Sequence, residues 1–245
     1  MWKNYPMQYG EMRIGVVSSV LLIQLNVIWT RTWRTLRNIK NVLNLYSGLG
    51  GNRMLWEDVR VTAIELNPEI AGIYSDFYPE DEMVIGDAHE YLLKYYDKYD
   101  FIWSSPPCQT HSQIRYNLGV KNRGTKAVYP DMKLYEEILF LQWYYKGDWI
   151  VENTRGFYEP LIPPQFIGSH YIWSNFHIQD IDTGNRNHRD GTVESLQKRK
   201  QIDLSKYDII NKRQLLRNCV EPELGLHIFN QAKGIKIQTN QLTIF

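Results

Sequence analysis

Cysteine is nearly absent from this chain. The two present, Cys108 and Cys219, have neither a CxxC partner nor a His/Cys cluster at zinc spacing, which excludes a disulfide framework and a structural metal site. A reducing cytoplasm fits that usage. Long apolar runs are missing too. The most apolar stretch, Ile14 to Trp29, is interrupted by Ser, Gln and Asn and falls short of the ~20 apolar residues that a span needs, so no stable membrane span is expected. No A-x-A cleavage site follows it; Arg31, Arg34, Arg37 and Lys40 do. Residues 1–39 therefore read as an accessory segment with three readings open: a docked helix, a weak membrane-surface anchor, or an extension upstream of a start near Leu36. An excess of charge of one sign is also lacking, with a net charge of +1. The balance hides an asymmetry. Acids dominate from Arg53 to Asp100 and bases from Arg186 to Arg217, so one face is a candidate for meeting a polyanion, a mixed and solvated surface being the plainer reading of charge alone.

What is present is ample core material, 43% hydrophobic residues over 245, arranged as short apolar runs alternating with helical stretches. That order predicts an α/β domain with a doubly wound, mostly parallel sheet. The runs "NVLNLYS", "VTAIE", "MVIG", "YDFIWSS" and "DWIVEN" read as successive strands. "PEIAGIYSDFY", "DAHEYLLKYYDKY" and "MKLYEEILFLQWYY" read as the helices between them, the first with Pro68 at its start. Beyond them, "PLIPPQFIGSHYIWSNFHI" is proline-rich and then strand-like. "QDIDTGNRNHRDGTVESLQKRKQ" reads as a polar loop, "QLLRNCVEPELGLHIFNQA" as a closing helix and "IQTNQLTIF" as an extended tail.

The chemistry gathers where the strands end. Glycines in "SGLGGN", straight after the first strand, let a backbone approach a ligand closely, and the next helix offers free N–H groups. A tight strand-to-helix turn explains them equally well. In a doubly wound sheet the carboxyl ends of the strands converge on the ligand crevice. Glu65 ends the second strand and Asp87 follows the third, positions suited to ribose hydroxyls and to an adenine amine. An adenosine-containing cofactor fits, a dinucleotide included; a helix cap is the plainer reading of Asp87. The fourth strand delivers Cys108 to the same edge behind Pro106 and Pro107, which fix the backbone before it. A thiol of pKa about 8.5 is only a few per cent thiolate at neutral pH, yet intrinsically very nucleophilic. The fifth strand ends in "VENTRG" and presents Glu152 beside it, a carboxyl able to pass a proton to the same substrate.

Taken together, these segments resemble the DNA cytosine-5 methyltransferase family in its usual order. "YSGLGG" is similar to its cofactor loop, "IELNPE" to its ribose segment and "GDAHE" to its adenine segment. "SSPPCQTHS" resembles the Pro-Cys-Gln nucleophile loop, "ENTRG" the Glu-Asn-Val motif, and "RNCVEPELG" the closing Gly-Asn-x-Val segment. The match covers roughly residues 41 to 232. The resemblance implies a Rossmann-like S-adenosylmethionine-dependent methyltransferase fold with a small recognition annex. It implies methyl transfer to carbon 5 of a cytosine flipped out of duplex DNA, with Cys108 adding to carbon 6 and Glu152 holding ring nitrogen 3 and the amine. Tyr46, Ser47, Gly48, Leu49, Gly50 and Gly51 would line the cofactor. Glu65, Leu66 and Asn67 would take the ribose end, Asp87 and Ala88 the adenine, and Pro107, Asn218 and Val220 would close the pocket. Gln109 to Asn122 would form a loop closing over DNA, with Gln109 and Arg115 as contacts.

The resemblance also carries departures. Arg217 stands where the closing motif has glycine and Thr154 where valine is usual. Ser169 and His170 occupy the place of an arginine that helps hold the flipped base and the acid; His170, Arg155 or no residue fills that role. The recognition segment, 179–212, is short, which implies a short or degenerate target, and its Arg186 and Arg189 suit phosphates and base edges. The domain scheme is thus 40–178 catalytic, 179–212 recognition, 213–236 returning to the catalytic unit and 237–245 a tail. "QLTIF" at that end resembles the bacterial sliding-clamp peptide, with Gln241, Leu242 and Phe245 as contacts. The expectation is a monomeric bacterial or phage DNA methyltransferase, with restriction-modification as the setting that the resemblance implies. Its rivals are an RNA (tRNA) methyltransferase with the same chemistry and a non-catalytic DNA- or clamp-binding relative.

Overall fold

Runs of buried residues on both faces mark the central strands of a parallel sheet. The computed structural model, which describes residues 36–181 and 191–235, shows them: β4 (Phe101–Ser104) is buried throughout and β5 (Asp148–Thr154) nearly so. With β1 (Asn41–Leu45), β2 (Arg60–Glu65) and β3 (Glu82–Ile85) they run parallel. A hairpin, β6 (Gln165–Ile167) and β7 (His170–Ser174), turns at Gly168 with φ +59° and adds β7 antiparallel to β5. The sheet order is β3-β2-β1-β4-β5-β7-β6. The chain therefore winds outward from β1 and returns on its other side at β4. That reversal opens a crevice at the carboxyl ends of β1 and β4.

The helices begin where their sequences say they should. α1 (Pro68–Phe77) has Pro68 in its first turn and Asn67 as cap, its Oδ1 accepting from the Glu69 and Ile70 amides at 2.9 and 3.3 Å. α2 (Ala88–Tyr95) is capped by Asp87, whose Oδ1 accepts from His89 N and Glu90 N. α3 (Lys133–Tyr144) follows the nucleophile loop and packs Leu134, Ile138 and Leu141 under the sheet with Leu43, Leu45 and Ile102. On the opposite face, Trp56 stacks on Phe229 with centroids 4.9 Å apart, beside Phe101 and Trp103.

The C-terminal part differs from expectation in two places. The polar loop contains a helix, α4 (Val193–Lys200), capped by Thr192. The single closing helix is two, α5 (Lys212–Asn218) and α6 (Pro222–Ala232), because Pro222 offers no N–H and its ring excludes helical backbone before it. Leu196, Ile202, Leu204 and Leu216 from this region join Leu49 and Ile73 in a third apolar cluster. Among the described residues no helix is long and apolar enough to cross a membrane.

Candidate active site

The end of β1 makes an abrupt turn. Tyr46 adopts φ 55° and Gly48 and Gly50 adopt φ 52° and 73°, a conformation favourable only for glycine. The turn is held by Glu65 at the end of β2, whose Oε2 accepts from Gly48 N at 3.0 Å and Oε1 from Asn67 N at 2.9 Å. Gly51 lies so close to Cys219 Sγ and the Val220 carbonyl that a side chain there would collide with both. Gly50 faces away from the crevice, against the rings of Tyr74 and Tyr78, and its carbonyl accepts the Tyr78 hydroxyl at 2.7 Å. Its requirement for glycine comes from packing and positive φ.

The nucleophile loop leaves β4 next to this turn. Asn153 Nδ2 donates to the Pro106 carbonyl at 3.0 Å, which ties the end of β5 to the residues before Cys108. The Cys108 carbonyl accepts from His111 N and Ser112 N at 3.0 and 2.9 Å. Buried His111 faces Tyr158 Oη through Nδ1 at 2.6 Å and the Asp131 carbonyl through Nε2 at 3.0 Å. Only a donor at Nε2 satisfies that carbonyl, so Nδ1 accepts from the tyrosine. Burial holds His111 below its ordinary value against the opposing pull of Asp131, consistent with a neutral ring. Further pairing, Gln113 N to Arg155 O and Phe157 N to His111 O, each at 3.1 Å, staples the loop's root to the chain after β5. Its outer part is a π-helical turn, Arg115–Lys121.

Cys108 and Glu152 face one cavity of about 1160 Å³. Burial first, and the Glu152 charge second, push the Cys108 thiol up to about 11, so the resting sulfur is protonated. Glu152 is buried, and His170 Nε2 lies 3.8 Å from its Oε1. Asp87 sits across the cavity. Burial would raise it, but the Glu90 amide, Lys133 and the His89 amide prevail and hold its carboxyl below the usual range.

The closing segment arrives from the far end of the chain. Asn218 and Val220 reach the cavity, with buried Cys219 between them turned onto Gly51. Lys200, 2% exposed, donates to the Cys219 carbonyl and pairs with Glu221 Oε1 at 2.9 Å. The short segment that carries α4 is thereby bolted to the pocket's wall. Lys206 pairs across the molecule with Asp76 at 3.5 Å and Arg199 locally with Glu221 at 3.8 Å, so the basic run is less free than composition suggests. Arg199 and Arg217 line the cavity.

Of the residues expected to bind a cofactor, all but Gly50 line this cavity, and so do Gln109 and His170. Arg115 does not. Arg186, Arg189, Gln241, Leu242 and Phe245, and most of the accessory segment, lie outside the described residues. Sequence reasoning missed Asn153 and Lys200 as holders of the site; the first sits inside the quoted "ENTRG", while nothing local marks the second. Among the described residues no group of His, Cys, Asp or Glu is placed to hold a metal ion.

Residues 40–137 match the family model of the C-5 cytosine-specific DNA methylases. The fold is a doubly wound, Rossmann-like α/β sheet, and the match to the C-5 cytosine-specific DNA methylases spans the cofactor loop and the nucleophile loop. A search of the curated proteins finds no match. Among solved structures, a mutant of Spodoptera frugiperda DNMT2 shares 23% identity over 48% of this chain and 36% of its own, with a TM-score of 0.34. An E. coli prophage-encoded protein, described as a DNA modification methyltransferase, shares 19% over 49% and 33%, with a TM-score of 0.33. A SAM-dependent methyltransferase from Agrobacterium tumefaciens shares 14% over 56% and 44%, with a TM-score of 0.32. The chain spans about a third of the length of the first two.

The family match implies S-adenosylmethionine as cofactor, and the site fits it. Ser47 Oγ is buried at the cavity wall with no partner among the described residues, a group awaiting a polar ligand. Beside it stand a glycine turn open to close approach and the Glu65 carboxylate.

Proposed function

We propose that this chain is a DNA cytosine-5 methyltransferase acting through a covalent cysteine adduct. The observation that carries this reading is one cavity lined jointly by Cys108, Glu152 and the glycine turn. Its volume exceeds the common range for a single small ligand, about 300–1,000 Å³, leaving room for a methyl donor and an extruded base together. Extrusion costs about a few kcal/mol of unstacking and unpairing.

Within that cavity Ser47, Glu65 and Asp87 would hold the methionine end, the ribose and the adenine. When bound, S-adenosylmethionine supplies an electrophilic methyl group. Cys108, once deprotonated, forms a bond from sulfur to carbon 6 of cytosine, and the electron pair of the 5,6 double bond becomes available at carbon 5. Glu152 takes up a proton as Cys108 gives one up, donates it to ring nitrogen 3, accepts from the exocyclic amine, and so stabilises the charge that addition creates. His170 holds the Glu152 carboxyl in place. Water takes the carbon 5 proton, the C–H electron pair re-forms the 5,6 double bond, and the sulfur–carbon 6 bond breaks with its electrons returning to Cys108. The thiol's elevated pKa means that its proton must leave as the substrate arrives, which protects an idle enzyme from stray alkylation.

Residues 40–178 and 213–236 would form the catalytic unit and 179–212 the recognition segment, with Arg199 and Arg217 on the cavity's DNA side. The C-terminal "QLTIF" would tether the enzyme to a sliding clamp, raising its effective concentration on DNA. Methyl transfer from labelled cofactor to duplex DNA and to tRNA, measured in parallel, tests the reading. Labelling of DNA at carbon 5 of cytosine supports it; labelling of tRNA alone assigns the same chemistry to RNA, and labelling of neither sinks it.

A further inference from the structure

One buried acid takes no part in the steps above. Glu137, on α3, is fully buried, and a carboxylate so placed is costly unless it is well paired. Its Oε1 accepts the Tyr46 hydroxyl at 2.5 Å and faces His89 Nδ1 at 3.1 Å; its Oε2 accepts the Ser104 hydroxyl at 2.6 Å. Tyr46 opens the glycine turn. Ser104 closes β4 just upstream of the nucleophile loop. His89 lies in the first turn of α2, directly after Asp87 and Ala88 at the cavity wall. A single side chain therefore joins the three segments that meet at the adenosine half of the crevice.

His89 is the titratable member of this group. From α3 it faces Glu137, Glu136, whose Oε2 is 3.4 Å from Nε2, and Lys133. Asp87 and Glu90 flank it on its own helix, and Tyr46 shares its carboxylate from β1. The hydrogen bond to Glu137 is the largest influence and holds the imidazole above its ordinary value, against burial and Lys133. As an imidazolium it donates from Nδ1 to Glu137, and its charge forms an ion pair with Glu136, whose Oε2 lies 3.4 Å from Nε2. A neutral ring keeps its one N–H for Glu137 and loses the charge that pairs with Glu136.

We propose that Glu137 is a positioning residue for the cofactor site, and that the charge on His89 beside it tunes cofactor affinity by fixing the first turn of α2 against α3. The proposal rests on the reading of the cavity as an S-adenosylmethionine site. With the imidazolium present, Asp87 and Ala88 are held at the cavity wall by one hydrogen bond and one ion pair from the adjacent residue. Affinity is therefore greatest at pH below the raised imidazole value and falls as pH rises through it.

S-adenosylhomocysteine, which cannot donate a methyl group, serves as the probe. It is titrated calorimetrically between pH 6 and 9 into the wild type, His89→Gln, Glu137→Gln and Glu136→Gln. The wild type is expected to lose about two- to fivefold in affinity across the range, the scale of a partly exposed ion pair. His89→Gln should lose that component of the profile. Glu137→Gln should raise KM for the cofactor with kcat near the wild-type value at saturation. Glu136→Gln, a change at a largely exposed side chain that the fold tolerates, should move the wild-type inflection to lower pH. Identical profiles in wild type, His89→Gln and Glu136→Gln overturn the proposal while leaving the cofactor site standing. Absence of binding by the wild type at every pH overturns the cofactor reading and the proposal with it.

Discussion

His170 on β7 and Glu152 on β5 form a diagonal pair across antiparallel strands, Nε2 to Oε1 at 3.8 Å. The register sets Thr154 opposite His170 and Glu152 opposite Ile172, so both side chains leave the same face, within reach of each other. The histidine thus stands at the buried acid where the family resemblance leads one to expect an arginine. Removing it in His170→Ala should lower kcat by about tenfold to a hundredfold, the cost of a small misplacement of a reacting group. His170→Arg should recover most of the loss. Single-turnover rates on duplex DNA read this directly, and an unchanged rate in the alanine variant would free Glu152 from dependence on its neighbour.

Asn153 carries the second expectation. Its amide is buried and donates to the Pro106 carbonyl, so Asn153→Ala leaves that buried acceptor short of a donor, at a cost of about 1–3 kcal/mol. Denaturant titration should show the loss. Because the bond holds the residues leading to Cys108, kcat should fall further than stability alone explains under conditions where the variant is folded.

Cys108 alkylation tests the electrostatics. With the thiol pushed up to about 11, the thiolate fraction rises about tenfold per pH unit below that value. Iodoacetamide labelling in the absence of DNA should therefore climb from pH 7 to 9 without levelling off. Glu152→Gln removes the second of the two causes and should quicken labelling at each pH, modestly, since burial is the larger cause. A plateau near pH 7 would mean that the resting thiol is already ionised.

The C-terminal tail provides a separable expectation. Deletion of Gln241 to Phe245 should abolish capture by an immobilised sliding clamp and leave the rate on short oligonucleotides unchanged. Retained capture would assign any clamp contact elsewhere.

Much of the architecture was legible because it is local. The central strands are apolar runs bounded by turns, Pro68 opens a helix, Asp87 sits at a helix cap, and Glu65 occupies a strand end by count alone. What escaped was side-chain bonding between segments remote in sequence: Asn153 to Pro106, Lys200 to the Cys219 carbonyl, Glu137 to Tyr46, Ser104 and His89. No periodicity announces such pairs. α4 was missed for a different reason. Only Leu196 and Lys200 of "VESLQKRK" are buried; they stand four apart on one helix face, but with one of them charged they make no apolar stripe to read. The uneven charge leaves two readings open, a face for a polyanion and a mixed, solvated surface, and the exposed pair of Lys206 with Asp76 fits the second for part of the basic run.

The most direct measurement is trapping on DNA containing 5-fluorocytosine in the presence of S-adenosylmethionine. Fluorine at carbon 5 blocks the final elimination, so the wild type should leave a denaturation-resistant protein–DNA species that maps to Cys108, and Cys108→Ser should leave none. No adduct with a wild type that methylates cytosine, or an equal adduct in the serine variant, would contradict the assignment of Cys108 as the attacking atom.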